Sequence, residues 1–305
     1  MVGAPPPTTF ERSTIEDVAN AAGVSVATVS RALRGLPNVA VATRARVEEA
    51  ARELNYRADP AASRLAAGRS RTIAVVVPQI NSWYFSNVVA GAEAVCAEDG
   101  YDLLVVTASH RTSREDVIAT AEDLHRRVDG MIFVEVTLAP DDVETLRRRH
   151  LGVVTVGHAT GAYPSVRIDN VQIGVMAADH LLRLGHRRIG IIGDQAEDPA
   201  WFDVPGERIA GAAGAMGGHG IELDPSLVAE GEFTVDGGHD AALTILRRPE
   251  RPSAIFALSD EMAFGALVAA RELHLRVPDD LSVIGVDDHD VSQVLGLTTV
   301  RQRVV

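Results

Sequence analysis

Residues 13–34 read STIEDVANAAGVSVATVSRALR, and this stretch describes two short helices around a tight turn. Ser13 or Thr14 can cap the first helix, and Ile15, Val18, Ala19 and Ala22 recur at helical spacing to give it one apolar face. Gly23 ends it, as glycine does just past a helix C-terminus. Ser25 caps a second helix with Val26, Val29 and Leu33 on its apolar side, leaving Thr28, Ser30, Arg31 and Arg34 on other faces. That is the layout of a helix-turn-helix, whose second helix enters the DNA major groove N-terminus first. Helix pairs of this kind also occur as plain packing units, so the flanking sequence has to decide.

Outward from this pair, GLPNVAVA is a loop and TRARVEEAARELNY a third amphipathic helix, with Val47, Ala50, Ala51 and Leu54 on the packing side. DPAASRLAAGR, residues 59–69, follows, with Pro60 suited to a first helical turn and Gly68 to its end. Alone it is marginal, because an isolated helix in water needs roughly 12–15 residues. From Arg71 onward the pattern becomes alternating strand and helix. Apolar strand candidates are Ile73–Val77, Leu103–Thr107, Met131–Val134, Val153–Val156, Ile189–Gly193, Ala254–Ala257 and Val283–Val286. Helical stretches between most of them imply parallel sheets in an α/β fold.

Charge divides the chain in the same place. The whole carries a net charge of −13, yet residues 1–71 hold ten Arg against seven acids, a net of +3, and the remainder holds 19 Arg against 35 acids, a net of −16. A small basic head on an acidic body fits a DNA-binding module whose body is repelled by phosphate. The single cysteine, Cys96, cannot form an internal disulfide, which suits a reducing cytoplasm, and its helical context AGAEAVCAEDG reads as a small buried side chain. No apolar run approaches the roughly 18 residues of a membrane span. The N-terminal MVGAPPPTTFERS lacks an apolar signal segment, and its prolines suggest a disordered leader over residues 1–10.

In order and spacing, TIEDVANAAGVSVATVSRAL, ELNYRADPAA and SRLAAGRSRTIAVVVP resemble the lactose-repressor (LacI/GalR) family of bacterial transcription regulators, and the resemblance runs over nearly the whole chain. It implies a small all-α helix-turn-helix head (11–58), a hinge helix or linker (59–70) and an α/β body similar to periplasmic sugar-binding proteins (71–305). The body would hold two parallel-sheet subdomains, about 71–160 and 165–297, with an effector between them. The implied function is a sequence-specific DNA-binding regulator, a repressor, controlled by a small-molecule effector, a sugar. Its partners would be a near-palindromic double-stranded operator and a second copy of the chain, with no cofactor, metal or membrane. By position the base contacts fall on Val26, Ala27 and Arg31, of which Arg31 is the strongest reader because guanidinium can bond guanine O6 and N7 together. Thr14, Ser25, Thr28, Ser30 and Arg34 complete the DNA-facing set as contacts that fix register. Leu65 takes the place of a leucine that wedges into the minor groove, so Leu65→Ala should weaken operator binding and spare effector binding. Two departures stand out: Arg34 where the family often has Asn, and Ala40 where it often has a capping Ser.

Ligand sites in open α/β sheets lie beyond the carboxyl ends of strands. There the resemblance places Tyr84 and Phe85 as an aromatic pair stacking on the effector, Arg208 as the pocket arginine, Ser259 with Asp260 beside it, and Asp287 as a ligand-binding aspartate. Aromatics, one Arg and carboxylates suit a sugar. Gly157 falls where some sugar repressors have Asp, removing a hydroxyl acceptor that His158 is expected to replace. Asp169 and Asn170 read as caps of the following helix, and Trp201 and Phe202 lie in a loop able to close over the ligand. TTVRQRVV resembles the segment crossing back into the first subdomain, after which the family usually continues with a helix and a strand, so the body is expected to be C-terminally short.

Two other classes compete. For an enzyme, DDHD suggests a metal, but neighbouring loop residues cannot all face one ion, and no HxxxH, CxxC, P-loop or GxSxG accompanies it. GAAGAMGGHG follows no strand directly and reads as a helix and its C-cap. A solute-binding transport protein would fit the body but not the basic head.

Overall fold

A computed structural model describes residues 13–56, 69–108, 114–193 and 204–303. The N-terminal tail, most of the 59–70 segment with Leu65, and Trp201 and Phe202 lie outside the described residues. The chain divides into two compact units, residues 1–70 and 71–305.

The first unit contains three helices, α1 (Ile15–Ala22), α2 (Val26–Leu33) and α3 (Val41–Glu53). Thr14 caps α1: its hydroxyl accepts from Asp17 N, and Asp17 reaches back to Thr14 N at 2.8 Å, closing a capping box. Gly23 adopts φ 61, the left-handed turn that redirects the chain into α2, where Ser25 accepts from Thr28 N at 3.2 Å. Val18, Ala19, Ala22, Val29, Ala32, Val47, Ala50 and Ala51 form the core, with Ile15, Leu33 and Leu54 packed on its edge. The second helix therefore buries Val29 and Ala32, not the expected Val26, which is 41% exposed on the first turn. The third helix starts two residues earlier than its pattern suggested, and its cap Ala40 makes no side-chain bond to it. Arg46 Nε donates to Ala22 O at 2.9 Å and Ser13 Oγ to Leu54 O at 2.7 Å, tying the helix ends together.

The second unit holds two five-stranded parallel sheets. The first comprises β1 (Thr72–Val77), β2 (Asp102–Thr107), β3 (Gly130–Val134), β4 (Gly152–Val156) and β5 (Ser165–Val166) in the order β2-β1-β3-β4-β5. The second comprises β6 (Ile189–Gly193), β7 (Val228–Glu230), β8 (Ala254–Ala257), β9 (Ser282–Asp287) and β10 (Thr298–Arg301) in the order β10-β9-β8-β6-β7. Counted from its own first strand, each sheet has the same order, 2-1-3-4-5, so one topology occurs twice. Helices α4 (Trp83–Glu98), α5 (Arg114–Leu124) and α6 (Pro140–Arg148) accompany the first sheet. The second is accompanied by α7 (Asn170–Arg183), α8 (Val204–Gly218), α9 (Val235–Leu246), α10 (Asp260–Glu272) and the single turn α11 (Ser292–Leu295). Strands β6 and β8 are buried along their whole length, as expected of parallel strands covered on both faces.

Three short edge strands escaped the sequence pattern, and two of them move the expected boundaries. Ser165–Val166 pairs with β4, so the first sheet runs past residue 160. Thr298–Arg301 pairs with β9 in parallel, so the second sheet runs past 297 and this segment belongs to it rather than crossing back. Cys96 is only partly buried, not enclosed as its helical context suggested.

Candidate functional site

Two sites arise, one in each unit. In the first, α2 presents Ser25, Val26, Ala27, Arg31 and Arg34 as exposed residues, with Thr28 and Ser30 partly exposed beside them. Burying Val29 and Ala32 is what turns this face outward. Ser25 and Thr28 hydroxyls lie 2.9 Å apart at the helix N-terminus, where unpaired backbone N–H groups favour an anion such as a phosphate. Among the described residues the Arg31 guanidinium makes one hydrogen bond, Nη2 to Pro37 O at 3.2 Å, which leaves other donors for a base edge. Thr14 is exposed, but its hydroxyl is already engaged with Asp17.

In the second unit the polar residues gather beyond the carboxyl ends of β1, β3, β6, β8 and β9. The pairs β1/β3 and β6/β8 flank the points where strand order reverses, the usual ligand position in such sheets. Arg208, on α8, is 4% exposed. Its Nε donates to Asn170 Oδ1 at 3.0 Å and its Nη1 donates to Leu258 O. Asn170 is thus the buried support of Arg208 and not a cap; Asp169 alone caps α7, accepting from Gln172 N at 2.8 Å. Asp287, at the end of β9 with φ 131, accepts from Gln302 Nε2 and from Asp260 N at 3.4 Å. Asp260 is consumed structurally: it accepts from His289 N at 2.9 Å, Ser292 Oγ at 2.6 Å and Thr299 Oγ1 at 2.6 Å, holding the loop that carries Asp287. The Ser259 hydroxyl caps α10 by accepting from Met262 N at 3.2 Å, which fixes its orientation at the helix N-terminus.

From the first sheet, Tyr84 donates its hydroxyl to Glu135 Oε1 at 3.1 Å. Burial and the Glu135 charge push the Tyr84 phenol far up, which keeps it a donor. Phe85 does not face outward with it: it is 6% exposed and packs with Val75, Val77 and Val134, so it belongs to the core and meets Tyr84 edge-on at 5.2 Å. His158 is partly exposed, its backbone oxygen accepting from Thr155, and a different residue fills the space opposite Gly157. That residue is Glu135, which the sequence pattern had not singled out. The available signal was an acid directly following the apolar strand MIFV, in the same position relative to its strand as the other candidates.

The two halves touch across this site. Trp83 N donates to Glu261 Oε1 at 3.3 Å, the Trp83 and His289 rings lie 5.5 Å apart, and Phe264 meets His289 edge-on at 5.3 Å. Glu135, Asp287 and Asp288 all have left-handed backbones, with φ 52, 131 and 63, strain of the order of 1–3 kcal/mol each that gathers at functional loops.

Burial pushes the Glu135 and Asp287 carboxyls up to about 7, although Arg208 pulls both down. Glu207 adds to the rise of Glu135, Asp260 to that of Asp287, and burial lowers Arg208. A carboxyl whose folded pKa exceeds its unfolded one binds more protons when folded between the two values, so its contribution to stability is lost as pH rises from about 4 through about 7. The ligand-free body should therefore lose stability between about pH 4 and about pH 7, by something of the order of 3 kcal/mol per group. The lowered carboxyls Asp17, Asp224 and Asp280 titrate below that window. Urea midpoints for wild type and Glu135→Gln check this: the difference isolates Glu135 from the histidines, and a variant with the same pH slope as wild type would count against it.

Comparison with known proteins follows the same division. Residues 14–59 match the family model of bacterial regulatory proteins, lacI family, and residues 178–305 match a periplasmic binding protein-like domain. The chain is 38% identical over 299 residues to the HTH-type transcriptional repressor CytR of Escherichia coli K12, covering 95% of this chain and 85% of the relative. It is 32% identical over 284 residues to catabolite control protein A of Priestia megaterium, covering 92% and 84%. Among solved structures, the lac repressor dimer bound to operator and the anti-inducer ONPF is similar with a TM-score of 0.83 and 27% identity, covering 96% and 88%, and a CelR–cellobiose complex with 0.66 and 31%, covering 96% and 89%. No helix among the described residues is long and apolar enough to cross a membrane. With a helix-turn-helix head, a doubled α/β body and full-length relatives that are transcriptional repressors, the chain belongs to the LacI family of bacterial regulatory proteins.

Proposed function

We propose that this chain is a cytoplasmic, dimeric repressor that reads a near-palindromic operator with α2 and is controlled by a neutral sugar held between the sheets of its body. The carrying observation is the outward face of α2. Arg31 has free donors there, while Val26 and Ala27 offer only apolar contact, such as to a thymine methyl. Ser25, Thr28, Ser30, Arg34 and Thr14 surround them as phosphate-side contacts. The cleft supports the effector half: Arg208 and Asp287 offer fork-like bonds to hydroxyls, and Tyr84 offers a ring face. Among similar solved structures, the lac repressor dimer is bound to operator and CelR to cellobiose, which supports both halves. Effector and operator affinities must change each other by the same factor, whichever sign the coupling has.

Selection of bound duplexes from a random library, with wild type and Arg31→Ala in parallel, tests the DNA half. Wild type should enrich a near-palindromic site with a guanine in each half. Arg31→Ala should relax that guanine by about 1–3 kcal/mol, roughly 5- to 150-fold, while other positions hold. A folded dimer that enriches no sequence would overturn the proposal.

A further inference from the structure

A Cβ built on Gly157 would stand 2.2 Å from Glu135 Oε2 and 2.4 Å from Oε1, with no room for both side chains. Gly157 also has φ 94, a backbone that side chains rarely adopt. Positions 135 and 157 directly follow the neighbouring strands β3 and β4, and the carboxylate fits after β3 only because glycine follows β4. Glu135 is 5% exposed, and while Oε1 accepts from Tyr84, Oε2 has no hydrogen-bond partner among the described residues. A buried carboxylate oxygen left unmatched is destabilising, and a donor brought by a ligand would offset that. The surrounding charge restricts that ligand further. Glu135, Asp287 and Glu207 act on Arg208, the single cation of the site among the described residues, and Asp260 adds a fourth acid beside Asp287.

Resting on the reading of this cleft as the effector site, we infer that Glu135 sets its specificity, accepting a hydroxyl of a neutral polyhydroxyl ligand through Oε2 and excluding sugars that carry a phosphate or carboxylate. Gly157 is its positioning partner, since any side chain there displaces the carboxylate.

Calorimetric titration of the full chain with neutral mono- and disaccharides, cellobiose among them, and with glucose 6-phosphate and ribose 5-phosphate tests this. Neutral sugars should bind and the phosphates should not. Glu135→Leu should weaken the neutral sugar by roughly 10- to 100-fold, whereas Glu135→Gln, which keeps a carbonyl acceptor, should lose less and gain measurable affinity for a phosphate. Gly157→Ala should weaken the sugar in wild type and add little in Glu135→Ala, where the new methyl group meets no carboxylate. Binding lost in Arg208→Lys but unchanged in Glu135→Leu overturns the inference and leaves the cleft as the effector site. A phosphate preferred by wild type overturns the inference too. If no sugar of the panel binds, the sugar reading of the cleft falls, and the inference with it.

Discussion

Arg208→Met leaves a protein that still binds its operator but no longer answers its effector. Arg208 is 4% exposed, held by Asn170 and the Leu258 carbonyl, and it is the cation that offsets both Glu135 and Asp287. Truncating one partner of a buried, hydrogen-bonded charge cluster costs about 2–5 kcal/mol, so sugar affinity should fall roughly 30- to several-thousand-fold. Stability should fall as well, by about 3–5 kcal/mol where the carboxyls are charged. Because losing the cation raises both carboxyl pKa values further, that loss should be smaller near pH 5 than near pH 8. Arg208→Lys separates the two effects: it keeps the charge but not the fork that reaches Asn170 and a ligand together, so it should lose affinity with a smaller drop in melting temperature. Titration with the identified sugar, paired with thermal melts at both pH values, reads both. Unchanged sugar affinity in Arg208→Met would remove the residue from the site.

Gly211→Ala should be among the most damaging single-methyl additions in this chain. Helices α7 and α8 cross so closely that a Cβ on Gly211 would stand 2.0 Å from Val171 O, and one on Gly174 2.0 Å from Arg208 O. Both obstacles are backbone atoms, so no rotamer change relieves them and the helices must part. Overpacking of this kind costs about 3 kcal/mol or more, a large fraction of the roughly 5–15 kcal/mol that holds a domain folded. Parting α7 from α8 also pulls Arg208 away from Asn170, so whatever folds should bind effector poorly. Gly214, one turn further on the same helix, has nothing within 4 Å of a Cβ, and Gly214→Ala should stabilise by up to about 1 kcal/mol. Opposite signs for one substitution three residues apart are the expected result in urea unfolding, and equal signs would mean that helix propensity, not the crossing, governs α8.

Most of the head was legible from local chemistry. Thr14, Gly23, Ser25, Val18, Ala22 and Val29 act through neighbours within one or two helical turns, where a cap or a 3.6-residue period is a complete physical description. The seven long strands were legible for a similar reason, since buried parallel strands read as short continuous apolar runs. The strands Ser165–Val166, Val228–Glu230 and Thr298–Arg301 were not, because edge strands of two to four residues carry no such run and exist through a partner strand distant in sequence.

The effector cleft divides along the same line. Position after a strand, together with the family resemblance, nominated Tyr84, Arg208 and Asp287. What each side chain does was decided only where strands distant in sequence meet. There Phe85 turned into the core, Ser259 became the cap of its helix, Asn170 was turned to Arg208, and the carboxylate opposite Gly157 came from Glu135 at the end of the neighbouring strand. By itself the sequence determined that a helix-turn-helix head precedes a doubled α/β body, because those features depend on contacts between near neighbours. Only the tertiary structure decided which polar groups stay unmatched and available to a ligand, because satisfaction of a buried charge depends on every group around it, and those groups here come from segments up to about 200 residues apart.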